Sequence, residues 1–243
     1  MRTTVSRALI AAITFGTVSL AASQADAALL AFICDDALCT GGGDTIVTDQ
    51  GVGDNFPGSA QVGQINSGAL NVGGFTIVTN VVQSKSLIGN AANPQMDLTF
   101  NAVSTNNLTN TIYLYASDTS FSGSGGSLLT IGGTQPGGGN SITAGAWGGT
   151  SNTNLDFSQM ISGFSNAGTP FLNSAFAPFS ANSLYSLTIG VAITRTTAGT
   201  TTGDLHLEVG QDVRDVPEPA SAALLGIALS GMVLRRRLRL NGR

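Results

Sequence analysis

The segment Tyr185-Ser186-Leu187-Thr188-Ile189-Gly190-Val191-Ala192-Ile193 carries a large apolar side chain on every second residue. A period of two sends successive side chains to opposite faces of a β-strand. One face of this strand is therefore expected to be buried and the other solvated, which is typical of antiparallel sheets. This segment indicates the fold class more clearly than any other part of the chain.

Similar patterns recur through the body of the chain. Period-two alternation or runs of β-branched residues predict five further strands: Ala28–Cys34, Phe75–Val82, Met96–Asn101, Thr111–Tyr115 and Asp204–Val209. Glycine-rich turn clusters separate such segments, as at 41–43 and 135–140. No body segment keeps a 3.6-residue period over twelve residues, so we predict an all-β body, an antiparallel β-sandwich or jelly-roll-like fold.

Residues 152–179 show no clear period. Five phenylalanines lie among polar residues there: Phe157, Phe164, Phe171, Phe176 and Phe179. We expect long loops that are packed by these aromatic side chains.

The N-terminus has the three parts of a secretory signal peptide. Met1–Arg7 is positively charged, residues 8–22 are mostly apolar, and small residues follow at Ala25 and Ala27. We predict a signal helix within residues 1–27 that is removed by signal peptidase after Ala27, or alternatively after Ala25. An ordinary N-terminal core helix is the other interpretation.

The C-terminus also has three parts in order. Val216-Pro217-Glu218-Pro219 is followed by the apolar stretch Ala220–Leu234 and then by Arg235-Arg236-Arg237. The prolines favour an extended segment before the apolar stretch. Fifteen helical residues span about 22 Å, which is short of a hydrocarbon core of about 30 Å. The positive-inside rule places the arginines in the cytoplasm and the body outside.

This tail resembles the PEP-CTERM sorting domain of Gram-negative bacteria. The resemblance implies that exosortase, a membrane cysteine peptidase, recognises the tail and cuts near the box formed by Pro217, Glu218 and Pro219. The implied sorting signal comprises Val216, Pro217, Glu218, Pro219, Arg235, Arg236 and Arg237. The alternative is a plain tail anchor that is never cut.

The two ends divide the chain into a signal peptide (1–27), an extracellular β-rich domain (28–215) and a sorting tail (216–243). We expect a precursor held in the inner membrane by a short C-terminal apolar helix, and then a product in the cell envelope or outside the cell.

Charged residues make up 10% of the chain, against about 25% in typical domains. Between residues 28 and 216 only Lys85, Arg195 and Arg214 are basic, against twelve acidic residues. This balance argues against a nucleic-acid partner.

The only two cysteines are Cys34 and Cys39. An even cysteine count in an exported protein favours a disulfide, and the short loop that it closes predicts a modest stabilisation. A zinc site is disfavoured because the chain has a single histidine to accompany a Cys-x4-Cys pair.

Motifs of known catalytic sites are not found in this sequence. It contains no Gly-x-Ser-x-Gly elbow and no phosphate-binding Gly-x4-Gly-Lys loop. The single histidine, His206, is interpreted as a solvated strand residue. A glycosidase would need two carboxylates at a fixed distance, for which Asp97, Asp118 and Asp156 are the candidates. We expect no enzymatic activity.

Two weaker patterns point to binding. Asp35, Asp36 and Asp44 lie in a glycine-rich region and offer the hard oxygen ligands that Ca²⁺ prefers. We assign no metal site or cofactor, because solvated loop carboxylates explain the same pattern; calcium is the alternative. The single tryptophan, Trp147, has small neighbours and is a candidate sugar platform, or else a core anchor.

The function predicted from these observations is a structural or interaction protein of the cell surface or extracellular matrix. The resemblance of the tail points the same way, because such proteins are associated with the envelope or with exopolysaccharide. The first alternative is a glycan-binding module, calcium-dependent or not, in which Trp147 or Tyr115 is exposed beside clustered acids. The second is a hydrolase that uses the carboxylates named above.

Overall fold

The computed structural model describes residues 29–55, 62–166 and 170–210. The strands in these ranges are β1 (Leu30–Cys34), β2 (Thr45–Thr48), β3 (Gln64–Asn66), β4 (Leu70–Val72), β5 (Phe75–Gln83), β6 (Gln95–Ser104), β7 (Asn110–Phe121), β8 (Gly125–Thr134), β9 (Ser141–Gly149), β10 (Gln159–Asn166), β11 (Phe171–Phe179), β12 (Tyr185–Arg195) and β13 (Gly199–Gly210). In these ranges no helix is long and apolar enough to cross a membrane. The predicted signal helix, its cleavage site and the sorting tail lie outside the described residues.

The strands form two antiparallel sheets. Sheet A has the order β10-β9-β12-β7-β1-β2, and sheet B has the order β11-β8-β13-β6-β5-β3, with β4 pairing separately with β5. Every strand pairing is antiparallel. The predicted all-β, antiparallel fold class is confirmed.

The core lies between the sheets and takes alternate side chains from both. Leu187, Ile189 and Val191 of β12 are fully buried in it, as are Leu205 and Leu207 of β13. Burying one such side chain stabilises the fold by about 1.5–3 kcal/mol before the loss of conformational entropy is counted. The alternation in the sequence therefore reports directly which side of each strand faces the other sheet.

Residues 152–179 correct the expectation of long loops. The segment contains β10 and β11, which form the edge strands of sheets A and B. Phe171 and Phe179 point into the core, whereas Phe176 is exposed. An edge strand with glycine, alanine and serine between its large residues has little contrast between its faces, and this hid the period.

A buried arginine ties together one end of the sandwich. Arg195, the last residue of β12, is 1% exposed. Its guanidinium donates to the carbonyls of Pro136, Thr197 and Thr200 and to the hydroxyl of Thr201, at 2.9–3.1 Å. The guanidinium group thus links the β12–β13 turn to the loop between β8 and β9 through hydrogen bonds, and none of these contacts is with an acidic side chain.

Candidate functional site

The outer face of sheet A carries an aromatic cluster, defined here as Phe32, Tyr113, Tyr115, Trp147 and Phe157. Tyr115 lies at its centre, with ring centroids 6.2 Å from Trp147 and 5.3 Å from Phe157. Trp147 and Phe157 meet edge to face at 5.1 Å. Such tilted and edge-on contacts are the favoured geometries for aromatic pairs. The cluster forms a second, smaller apolar core outside the sandwich.

Glycines on two neighbouring strands make room for these rings. Gly190 of β12 pairs with Gly145 of β9 on one side and with Tyr115 of β7 on the other. A Cβ added at Gly145 would lie 2.6 Å from the six-membered ring of Trp147, and one at Gly190 would overlap the ring of Tyr115. The absence of side chains at these positions lets both rings lie against the sheet.

The loop of residues 150–158 covers part of this face. The Leu155 amide donates to the Ser117 hydroxyl at 3.0 Å, and the Ser120 amide donates to the Asn152 side chain at 2.6 Å. In the same loop, hydrogen bonds led by the Ser151 hydroxyl lower the pKa of Asp156 to about 2. The loop is therefore fastened to the sheet by its own polar groups and holds Phe157 over the cluster.

The predicted disulfide between Cys34 and Cys39 is present and borders the cluster. The loop that it closes contains Ala37, whose carbonyl accepts a 2.9 Å hydrogen bond from the Tyr115 hydroxyl. Burial, with smaller effects from Tyr113 and Asp36, raises the pKa of Tyr115 to about 12. Tyr115 thus stays neutral and donates at physiological pH.

Asp35 and Asp36 lie inside the disulfide loop and meet Asp44 beside it, each with one oxygen within 4.8 Å of the others. Asp36 accepts hydrogen bonds from the amides of Leu38, Thr40 and Gly41, and these bonds lower its pKa. Hydrogen bonds of this kind from an aspartate to nearby backbone amides also stabilise a turn, so they explain the position of Asp36 without a metal ion. Calcium binding stays the alternative to solvated loop carboxylates, with the three candidate ligands now adjacent.

The two aromatic residues named as sugar contacts differ in exposure. Tyr115 is 6% exposed and belongs to the interior of the cluster. Trp147 is partly buried at the surface of the cluster, as are Tyr113 and Phe157. Any contact with a ligand would therefore fall to the edges and faces of Trp147, Tyr113 and Phe157.

The outer face of sheet B carries a polar, acidic patch on β6 and β13. Asp97 of β6 faces His206 of β13, with 3.4 Å between Oδ1 of the carboxylate and Nδ1 of the imidazole. The hydrogen bond with Asp97 raises the pKa of His206, and the charges of Asp97, Glu208 and Asp204 act in the same direction. His206 is a half-exposed strand residue, as its alternating sequence predicts.

The three carboxylates considered for hydrolysis do not share a cleft. Asp97 lies on the outer face of sheet B, and Asp156 lies in the loop over sheet A. Asp118 is fully buried between the sheets. The geometry gives no support to a hydrolase built on these residues.

Asp118 has a partner that sequence reasoning missed. The Lys85 Nζ lies 3.2 Å from Asp118 Oδ2, and the two side chains are 13% and 0% exposed. The residues are 33 positions apart. Lys85 follows β5 of sheet B and Asp118 lies within β7 of sheet A, so no local pattern in the sequence connects them. The one available signal in the sequence was that Lys85, the only lysine of the chain, lies in a segment whose other residues are uncharged.

The exposed charge of the described residues is negative. Lys85 and Arg195 are the only lysine or arginine residues in 29–55, 62–166 and 170–210. Arg195 is buried, and the Lys85 side chain is only 13% exposed. The acidic side chains that reach solvent there are those of Asp35, Asp36, Asp44, Asp49, Asp97, Asp156, Asp204 and Glu208. An anionic polymer would meet repulsion over this surface.

A shallow pocket of about 260 Å³ lies away from these groups. It is lined by residues 71–76 of the β4–β5 hairpin and by Thr105. None of the residues named from the sequence as a functional candidate lines it.

Comparison with known proteins identifies the tail. Residues 215–237 match the family model described as the PEP-CTERM protein-sorting motif, which confirms the resemblance drawn from the sequence. No curated protein matches the chain. A solved structure described as "Structural basis for the promiscuous specificity of the carbohydrate-binding modules from the beta-sandwich super family" is 17% identical, with coverage of 74% of this chain and 71% of that chain and a TM-score of 0.32. Likeness at that score supports no inference about ligands.

Proposed function

We propose that this chain is an exported structural or interaction protein of the cell surface or extracellular matrix, delivered by an exosortase-type system. The observation that carries the proposal is the sorting motif at residues 215–237. It follows the last described strand by only a few residues, since β13 ends at Gly210. The disulfide is consistent with an oxidising compartment outside the cytoplasm. We propose a non-catalytic role for the sandwich.

In this proposal, signal peptidase removes residues 1–27 and exosortase acts near Pro217, Glu218 and Pro219. The apolar stretch and arginines hold the precursor in the inner membrane until that cut. The test is peptide mass spectrometry of the exported protein from a host with exosortase and from the same host without it. We expect the peptides beyond the Pro-Glu-Pro box to be absent from the mature protein only when exosortase is present.

Alanine at all three positions of the box should leave the tail attached in the exosortase-positive host. Pro178→Ala, at an exposed proline in β11, is the matched control and should be processed normally. Recovery of an intact tail on the mature wild-type protein would overturn the processing claim.

A second candidate function is binding of a neutral glycan on the outer face of sheet A. The aromatic cluster favours it, because Trp147, Tyr113 and Phe157 reach the surface and apolar faces of sugar rings pack well on aromatic rings. The exposed negative charge disfavours an anionic glycan. An anionic exopolysaccharide would require a bridging cation, for which Asp35, Asp36 and Asp44 are the candidate ligands.

Retention of the exported, processed protein on insoluble cellulose, cross-linked alginate and native exopolysaccharide tests this second function. We expect retention on a neutral glycan, with a loss of about tenfold or more in Trp147→Ala. Phe176→Ala removes an exposed aromatic from sheet B and should bind normally. Parallel arms with Ca²⁺ and with chelator test the carboxylates. Equal retention of both variants would remove the aromatic cluster as the binding face.

A further inference from the structure

The sandwich holds one lysine amine and one carboxyl group together in its interior. Lys85 follows β5 of sheet B, and Asp118 lies on β7 of sheet A. The amine and the carboxyl oxygen are 3.2 Å apart. We propose that these two side chains condense to an intramolecular amide that joins the two sheets covalently.

Hydrogen bonds to both of its oxygens hold the Asp118 carboxyl group in place as the electrophile. Asp118 Oδ1 accepts a 2.7 Å hydrogen bond from the backbone amide of Thr119. Asp118 Oδ2 accepts a 2.7 Å hydrogen bond from the Ser84 hydroxyl. Both Asp118 and Ser84 are fully buried, so bulk water does not compete for these contacts.

The amine lies between an aromatic ring and a backbone carbonyl. Lys85 Nζ lies 4.0 Å from the centroid of the Phe121 ring and also contacts the Thr119 carbonyl oxygen. Burial lowers the pKa of Lys85 and raises the pKa of Asp118. Both changes favour the neutral amine and carboxylic acid over the ion pair, and the neutral forms are the ones that can condense.

The step balances without a co-reactant. The Nζ lone pair attacks Cγ of Asp118, and the Nζ–Cγ bond forms as the Cγ–Oδ2 bond breaks. Oδ2 leaves as water, carrying the carboxyl proton and one proton from Nζ. The Thr119 amide stabilises the negative charge that develops on Oδ1, and the Ser84 hydroxyl donates to the departing Oδ2.

The water has a way out along the Lys85 side chain, which is 13% exposed while Asp118 is fully enclosed. The product ties together residues 33 positions apart and on opposite sheets. The disulfide, by contrast, spans only five positions. The amide would thus be the long-range covalent tie of this domain.

Trypsin digestion gives a clear test because Lys85 is the only lysine of the chain. The exported protein is purified, in its processed form, from the envelope or medium of an exporting host, reduced, denatured and digested. We expect no cleavage after Lys85 and a loss of about 18 Da, one water, in the fragment that contains both residues. A peptide ending at Lys85, released from protein that was folded before denaturation, overturns the proposal.

Two variants separate the amide from a simple ion pair. Lys85→Arg keeps the positive charge but cannot form the amide, so its digest should show cleavage after position 85 and no loss of mass. Ser84→Ala keeps both reacting groups and removes the donor to Oδ2, so the linked fraction should form at least several-fold more slowly. Linkage at an unchanged rate in Ser84→Ala would contradict the role of that hydroxyl.

Discussion

The hydroxyl of Tyr115 donates a hydrogen bond of 2.9 Å to the carbonyl of Ala37, which lies inside the loop closed by the Cys34–Cys39 disulfide. Tyr115 is also the centre of the aromatic cluster. The disulfide loop and the aromatic face are therefore joined through one side chain, and their contributions to stability should depend on each other.

The first prediction concerns this dependence. Replacing both cysteines by alanine should lower the free energy of unfolding by about 2 kcal/mol, because the loop is short. Tyr115→Phe should lower it by about 1 kcal/mol through loss of the hydrogen bond. The combined variant should lose less free energy of unfolding than the sum of the two separate losses, because a loop without its disulfide no longer holds Ala37 in place. Urea denaturation measures all four proteins, and strict additivity would contradict the link.

The second prediction concerns the glycines under the rings. Gly145→Ala should displace the Trp147 ring, lower the free energy of unfolding by about 1–3 kcal/mol and shift the fluorescence of the only tryptophan. Gly190→Ala should act similarly through Tyr115. Gly138→Ala is the control, because an added Cβ there meets nothing within 4 Å. A fluorescence spectrum unchanged in Gly145→Ala would show that the ring does not rest on this glycine.

The third prediction concerns the buried guanidinium. Arg195→Lys keeps the charge but cannot reach the carbonyls of Pro136, Thr197 and Thr200 together. We expect a loss of about 3 kcal/mol in the free energy of unfolding, because acceptors and a charge are left buried without full pairing. Thr196→Ser, on a partly exposed neighbour, serves as the control. Wild-type stability in Arg195→Lys would refute this account.

The fourth prediction concerns His206, whose pKa in the folded protein is raised above 6.5 by Asp97. Its contribution to stability is fully present below pH 6.5 and is lost as the pH rises through the raised pKa. At this half-exposed site the contribution should be a few tenths of a kcal/mol. Proton NMR of the only histidine should show a lower pKa in Asp97→Asn. Thr99→Val leaves the acid in place and should change the pKa less; an unaltered pKa in Asp97→Asn would exclude the pairing.

Much of the fold could be predicted where each strand faces water on one side. The segments around Leu187, Leu205 and Leu98 alternate sharply, and each proved to be a strand that buries those residues. β9 and β11 were missed for opposite reasons. In β9, Gly145 leaves an outward position without a side chain, and the Trp147 ring fills it. In β11, Leu172 and Phe176 place apolar side chains on the outward face, where polar ones were expected.

The candidate site was predictable only where its parts are close in sequence. Cys34 and Cys39, like the Asp35 and Asp36 pair, lie within one short loop, so their proximity could be expected. The contacts of Tyr115 with Trp147 depend on the register of both strands with β12, which no sequence period reveals. Lys85 and Asp118 meet only after one sheet has packed on the other.

The negative charge at the surface of residues 29–55, 62–166 and 170–210 has a consequence for crowded assemblies. Wherever many copies accumulate, their acidic faces repel one another over about 10 Å at 0.1 M ionic strength and about 30 Å at 0.01 M. A layer made of this protein would swell osmotically in dilute water and contract as salt is added. The spacing between copies would then be set by the ionic composition of the medium.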